Sequence, residues 1–533
     1  MVFKLIVELS KSKINYIFQK TLRLFLIIFS FDVIASSTLN IDFKESTVSS
    51  FSILKDSFGN GRLTGNELGK IPKANIDLII NPNGEVIPRK QGLIETDNKF
   101  WNILFEPGKW YLKDKRISIV LPFALIEKGQ NCTHQGLLII ENDNAGYQIA
   151  SETCIYFQFN SQGQVDITIK SIDLPSSDEI LSKHANYVAN RMPTKSIVDL
   201  ALINEQLKEN IFSQDNFINP GDMTSFGVIL DNQHYTGPCL TRGARFPDCD
   251  YTPLPAYSLT KSLVGGVALM RLERLYPGAK DIAVSDLIPE CSHWEGITLY
   301  HLLNNTTGRY GKVRSHYDEE NHIGAFFNLS TSRERLKHVC NRYKQKSKPG
   351  SKWVYHTTEF WLLGQAIQRF WEAKAGANRE FYEDLIIPIW RELKLSPLIE
   401  KPHRLENIPL TGWGLMLRKD DIAKIGSDIT SEKSILRKYL DEEMLNNAMQ
   451  KNNSNRGSVA GAESLRYKNG FWAWNASDTL DCNKESWIPF MSGYGGIQVV
   501  LLPINVVYYY FSDSGVFRFA EVVKNLNQHQ SIC

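Results

Sequence analysis

Ser258 and Lys261 stand three residues apart in "AYSLTKSLVGG", residues 256–266. On a helix, positions three apart share one face, with Cβ atoms about 5 to 6 Å apart, so a hydroxyl and an amine there can share a proton. A serine hydroxyl is a poor nucleophile until a neighbouring base takes its proton. A lysine or tyrosine can be that base only where burial or a nearby cation lowers its pKa. The pair therefore reads as a candidate nucleophile and base. The plainer alternative is a serine N-cap with a solvated lysine. Spacing alone does not decide between them, because Ser10 with Lys13 and Ser52 with Lys55 repeat the pattern.

Other chemistries find less support. The chain contains no G-x-S-x-G elbow, no H-E-x-x-H, no Walker loop and no dinucleotide fingerprint. His316 and His322 in "SHYDEENHIG" lack the i, i+4 spacing of helical metal ligands, so that stretch reads as a solvated polar loop. No metal and no cofactor is expected. Lys and Arg number 60 against 58 Asp and Glu, which leaves no basic excess for a nucleic-acid partner.

The elements that must position the pair follow from periodicity. Between about residues 38 and 175, runs such as "ANIDLIINPNGEVI" and "RISIVLPFALI" alternate or run apolar between Asn-Gly and Asp-Asn turns, which predicts β-strands and hairpins. Beyond that stretch, "SIVDLALINEQLKENIF" and "VGGVALMRLERLYPG" carry helical spacing. Strands return in "SFGVILDNQHYTG" and in "GGIQVVLLPINVVYYYFSD", so an antiparallel sheet flanked by helices is expected. A chain of 533 residues exceeds one core. The expected organisation is a signal peptide at 1–36, a β-rich accessory domain of unassigned role at 37–178, and an α+β domain at 179–533.

The signal expectation rests on Lys4, Lys11, Lys13, Lys20 and Arg23 followed by "LFLIIFSF" and small residues near Ala35 to Ser37. The apolar run is shorter than the roughly 20 residues of a membrane span, so cleavage is favoured, with an uncleaved anchor as the alternative. A periplasmic or secreted location follows. Eight cysteines, none in a C-x-x-C spacing, then read as disulfides, with Cys132–Cys154 and Cys239–Cys249 suggested by proximity in sequence.

Downstream of the opening stretch come "DIAVSDLIPE", "ITLYHLLNNTTG", "PGSKWVYHTTEFWLLGQAI", "GWGLMLRKDDIAKIG" and "MSGYGGIQVVLLP". In this order and at these intervals, over roughly residues 220–515, they resemble the serine β-lactamase and penicillin-binding protein superfamily, in particular its class C-like esterase branch. The resemblance implies a β-lactamase-like domain with a helical subdomain. It implies Ser258 as the acylated nucleophile, Lys261 as the lysine that helps take its proton, and Tyr355 of "YHT" as the tyrosine of the Y-x-N element, which acts as base during acylation and donates a proton to the leaving group; side by side, lysine and tyrosine are expected to lower each other's pKa. It also implies an oxyanion hole from the N–H groups of Ser258 and Tyr494, with Thr357, Ser492 and Gly493 facing substrate. His356 falls at the variable middle position of Y-x-N and reads as a structural histidine.

Two departures bear on substrate. Thr357 replaces the family asparagine, and Met491 stands where the K-T-G strand has its lysine. A substrate carboxylate would lose a charge-assisted partner worth about 1.5 to 3 kcal/mol. The expectation is therefore an exported esterase acting through an acyl-enzyme on a small-molecule ester. An amide hydrolase of the β-lactamase or D-peptidase kind is the alternative. A non-catalytic cell-wall or surface ligand-binding protein on the same fold is the alternative of another class.

Overall fold

The computed structural model describes residues 37–533 apart from 60, 62–64, 114–115, 142, 152, 173–176, 206, 208–221, 239–248 and 315. The expected signal segment, Ser10 with Lys13, and Cys239 with its suggested partnership lie outside the described residues.

Strands β1 (Ser37–Asp56), β2 (Ala74–Ile80), β3 (Glu85–Pro88), β4 (Trp101–Phe105), β5 (Gly108–Lys113), β6 (Arg116–Glu127), β7 (Thr133–Glu141), β8 (Asn144–Ser151) and β9 (Phe157–Ile172) form one antiparallel sheet. β1 pairs with both β2 and β9, while β6 pairs with β7 on one edge and with β4 and β5 on the other. The β6–β7 pairing thus closes the sheet into a barrel. Ser52 and Lys55 lie in its first strand, not on a helix. The turn between β2 and β3 uses Asn83-Gly84, with Gly84 at φ 95°, as a hairpin with positive φ requires.

Period-two alternation explains the apolar runs. Ile103, Phe105, Phe123 and Leu125 point into the barrel core, while Leu104, Ala124 and Ile126 point out. The outward set is buried because Leu398 and Met416 of the following domain pack on it. Beside this patch Arg418 and Glu106 form a buried ion pair, with the Arg418 side chain also over the Tyr187 ring.

The second sheet contains β10 (Thr194–Ser196), β11 (Met223–Leu230), β12 (Gln233–Thr236), β17 (Ser458–Val459), β18 (Leu465–Lys468), β19 (Phe471–Asn475), β20 (Trp487–Gly493), β21 (Ile497–Leu502) and β22 (Val506–Ser512). Its order is β10-β12-β11-β22-β21-β20-β19-β18-β17, antiparallel except where β10 runs parallel to β12. β13 (Leu254–Pro255) pairs with β16 (Met416–Leu417), and β14 (Arg404–Leu405) pairs with β15 (Ile408–Pro409). Helices flank the sheet, and those between residues 284 and 448 make the helical part. The expected fold, a β-lactamase-like α+β domain preceded by a β-rich one, is the observed one.

Three disulfides close loops among the described residues: Cys132–Cys154, as suggested from sequence, and Cys291–Cys340 and Cys482–Cys533, which proximity in sequence left unassigned. No described helix is long and apolar enough to cross a membrane.

Candidate active site

Ser258 stands at the start of the helical segment 259–275, which opens with a π turn over Lys261–Gly266. The preceding residue, Tyr257, holds φ 44°. A side-chain-bearing residue in that region costs on the order of 1 to 3 kcal/mol unless its surroundings over-determine it. Here they do: the Tyr257 ring is buried and its hydroxyl donates to the Thr153 carbonyl at 3.1 Å. The bend places the Ser258 hydroxyl at the helix N-terminus, where the partial positive charge favours an alkoxide and an anionic intermediate.

The helix lies close to its neighbours because Gly265 and Gly266 allow it. A Cβ on Gly265 would meet the Phe360 ring at 3.0 Å, and one on Gly266 would meet the Asn469 carbonyl at 3.1 Å. Ser262 adds a hydrogen bond from its hydroxyl to the Gly470 carbonyl at 2.6 Å, tying the helix to the turn between β18 and β19.

Lys261 is 1% exposed. Its Nζ donates to Ser258 Oγ at 2.7 Å, to Thr357 Oγ1 at 2.9 Å and to the Gly412 carbonyl at 3.2 Å. Burial disfavours the ammonium and pulls its pKa down to about 8, with the Glu319 carboxylate opposing the shift. A lysine so tuned can exist as a neutral amine beside the serine at moderately alkaline pH.

Tyr355 is buried, its ring centroid 4.8 Å from Lys261 Nζ. The expectation that lysine and tyrosine lower each other's pKa is not met: the fall at Lys261 comes from burial, and Tyr355 is raised. Burial, with the Glu319 charge adding to it, drives the Tyr355 pKa well above its ordinary value. Met491, buried in β20, brings no positive charge to offset this. Tyr355 is therefore a neutral phenol, suited to donating a proton and not to taking one.

On the opposite side, β20 ends at Gly493 against the nucleophile segment. A Cβ there would sit 2.8 Å from the Ala256 carbonyl, so the close approach needs glycine. Tyr494 follows in the turn, 52% exposed, and neither its backbone N–H nor that of Ser258 has an acceptor among the described residues. Backbone donors without an acceptor are the kind of group an oxyanion hole uses. Ser492 Oγ, half-buried, accepts from Gln498 Nε2 at 2.9 Å. Thus Ser258, Lys261, Tyr355 and Thr357 are brought together, and Gly493 and Tyr494 flank them from the strand.

Two features were not read from sequence. The stretch "SHYDEENHIG" is not a solvated loop throughout: Tyr317–Phe327 is a helix, and Asp318 in its first turn is buried. Glu319 Oε2 accepts from the Thr357 backbone N–H at 2.9 Å, placing a carboxylate behind the lysine–threonine contact. Asp318 accepts from His356 Nε2 at 3.0 Å, and Glu359 lies 3.1 Å from His356 Nδ1. Burial alone would depress His356, but the two carboxylates outweigh it and raise its pKa to about 9. It is a clamped imidazolium, not a base. The only signal in the sequence was Glu359 three residues after His356; Asp318 is 38 residues away. A recess is lined by Arg309, Asp318, Glu319, Tyr343 and His356, and Ser258 is not part of its lining.

Fold and site define a β-lactamase-like domain built around a serine with a buried lysine. Residues 250–391, from just before the nucleophile to beyond the Tyr355 helix, match the family model described as Beta-lactamase. This is the family that the order of the motifs resembles. Among solved structures, the chain is similar to EstCE1, described as a hydrolase with promiscuous acyltransferase activity, at 13% identity over 62% of this chain and 99% of that one, with a TM-score of 0.46. It is also similar to a penicillin binding protein from Bacillus halodurans, at 14% identity over 59% and 97% with a TM-score of 0.42. A β-lactamase/D-alanine carboxypeptidase from Yersinia pestis is 16% identical over 63% and 98%, with a TM-score of 0.40. No curated protein matches the chain.

Proposed function

We propose that the protein is an exported serine hydrolase that cleaves small esters through an acyl-enzyme on Ser258. The observation that carries this reading is the 2.7 Å contact between Lys261 Nζ and Ser258 Oγ in a buried setting that lowers the lysine pKa to about 8. In the reaction the neutral amine takes the Ser258 proton as Oγ bonds to the acyl carbon. The N–H groups of Ser258 and Tyr494 hold the developing oxyanion. Tyr355 donates its phenolic proton to the departing alkoxide and recovers one from the Lys261 ammonium, so the proton count closes. Water then releases the acid by the same steps in reverse.

Ester is favoured over amide for two reasons. Met491 supplies no cation for a substrate carboxylate, and the Glu319 carboxylate behind Thr357 opposes one. Thr357 also has its Oγ1 committed to Lys261, which reduces what it can offer a substrate amide. Export is supported by the basic and apolar leader and by three disulfides.

The test is fluorophosphonate labelling with mass spectrometry, followed by turnover of short p-nitrophenyl esters and nitrocefin. Label on Ser258 with ester turnover supports the reading, and Ser258→Ala should lose both. An unlabelled Ser258 would instead favour a ligand-binding role, and turnover of nitrocefin alone would favour amide hydrolysis.

A further inference from the structure

Among the described residues, the β-rich barrel reaches the catalytic machinery at the pole closed by the Cys132–Cys154 disulfide. From the first half of that pole, Asn131 Oδ1 accepts from the Gly414 backbone N–H at 2.7 Å, and the Gly129 carbonyl accepts from Trp413 Nε1 at 2.8 Å. From the second half, the Thr153 carbonyl accepts from Tyr257. Residues 412–414 and 257 are the immediate supports of the lysine–serine pair: Gly412 supplies a carbonyl to Lys261 Nζ, and Tyr257 precedes the nucleophile.

The loop has bonds within its own domain, the Gly414 carbonyl accepting from the His403 N–H at 2.9 Å and the Leu415 carbonyl from the Ala256 N–H at 2.9 Å, and Asn131 is the partner of the Gly414 N–H. Gly414 sits at φ 97°, a left-handed turn that glycine adopts at the cost of conformational freedom. Its neighbour Gly412 is pressed on Thr357, where a Cβ would meet both the methyl and the carbonyl at 3.2 Å. Asn131 is buried, its side-chain amide additionally 3.9 Å from Met416 Sδ and its carbonyl bonded by Thr133 Oγ1 at 2.8 Å. The polar contact is therefore sheltered from water and rigidly mounted.

We propose that the β-rich domain is part of the active site, and that Asn131 is a positioning residue that holds the Gly412–Gly414 loop so that the Gly412 carbonyl orients Lys261 toward Ser258. The domain is then not a detachable binding module but one wall of the catalytic apparatus. This rests on the serine hydrolase reading above, since an inert Ser258 would leave Lys261 nothing to serve.

The rate of fluorophosphonate labelling of the full chain, followed against pH, tests the idea without knowledge of the substrate. Asn131→Leu keeps the volume and removes the acceptor. It should slow labelling by about ten- to a hundredfold, as small misplacements of a catalytic group do. Its pH midpoint should move lower, because the ammonium has lost part of its acceptor set. Asn131→Asp keeps an acceptor oxygen for Gly414 and should stay within a few-fold of the unaltered protein. Trp413→Phe, which removes the second bond to the same loop, should slow labelling in the same direction and serves if the leucine variant does not fold. Ile41→Val in the barrel core loosens the domain without touching the loop, and should label at the original rate. Equal rates and midpoints in Asn131→Leu or Trp413→Phe would overturn the proposal, as would equal slowing in Asn131→Asp. Absence of label from the unaltered protein would instead overturn the hydrolase reading.

Discussion

Lys261 Nζ donates to Ser258 Oγ at 2.7 Å from a position almost wholly removed from water. The form of Lys261 that can take the serine proton is the neutral amine, and burial brings its pKa to about 8. Labelling of Ser258 and ester turnover should therefore rise with pH with a midpoint near 8. Initial rates between pH 6 and 10 check this, and a profile flat across that range would contradict it.

Glu319 opposes the fall in the Lys261 pKa and adds to the rise at Tyr355. Glu319→Gln keeps an oxygen for the Thr357 N–H and removes the charge. The rate midpoint should then fall below its original value, with little change in the plateau. An upward movement of the midpoint would mean that the carboxylate acts otherwise.

Thr357 Oγ1 is one of the three acceptors of Lys261. Thr357→Ala leaves a buried ammonium with one fewer partner, a loss of about 1.5 to 3 kcal/mol where a charged group is involved. Values of kcat/KM should fall by about tenfold or more, and Thr357→Asn, which restores the family residue and an acceptor, should recover most of it. Failure of asparagine to do better than alanine would assign the loss to packing.

His356 titrates near 9 when folded, against 6.5 when exposed, because Asp318 and Glu359 bind its charged form. A raised pKa contributes stability that is complete below about 6.5 and is lost as pH rises through about 9. The difference in stability between the unaltered protein and His356→Gln should follow that course. At pH 6 the variant should be less stable by about 3 to 5 kcal/mol, since two buried carboxylates lose their partner. Denaturant unfolding at several pH values measures it.

Glu127 lies in the barrel pole beside the site, hydrogen-bonded by the Tyr156 hydroxyl, and burial lifts its pKa to about 7. The folded state holds its proton more tightly than the unfolded one, so stability is lost as pH rises from about 4.5 through 7. Glu127→Gln should match the unaltered protein near pH 4 and exceed it in thermal stability above pH 7. A variant less stable at pH 8 would show that the carboxylate has an unrecognised cationic partner.

Local patterns determined a good deal here. The alternation in "RISIVLPFALI" and the Asn-Gly turn specify strands and a hairpin because side-chain direction has period two. The spacing of Ser258 and Lys261 puts hydroxyl and amine on one face only where the segment is helical, and Ser52 with Lys55 shows the same spacing inside a strand. The Cys132–Cys154 pairing was legible because its ends are close in sequence.

What only the tertiary structure decided is whatever depends on distant residues and on burial. Sequence does not say that Glu319 returns to Thr357, that Asp318 meets His356, or that Asn131 reaches Gly414 across 283 positions. Nor can it give the sign of a pKa shift. Burial moves a lysine down and a tyrosine up, so the same enclosed site that makes Lys261 available as a base keeps Tyr355 a phenol.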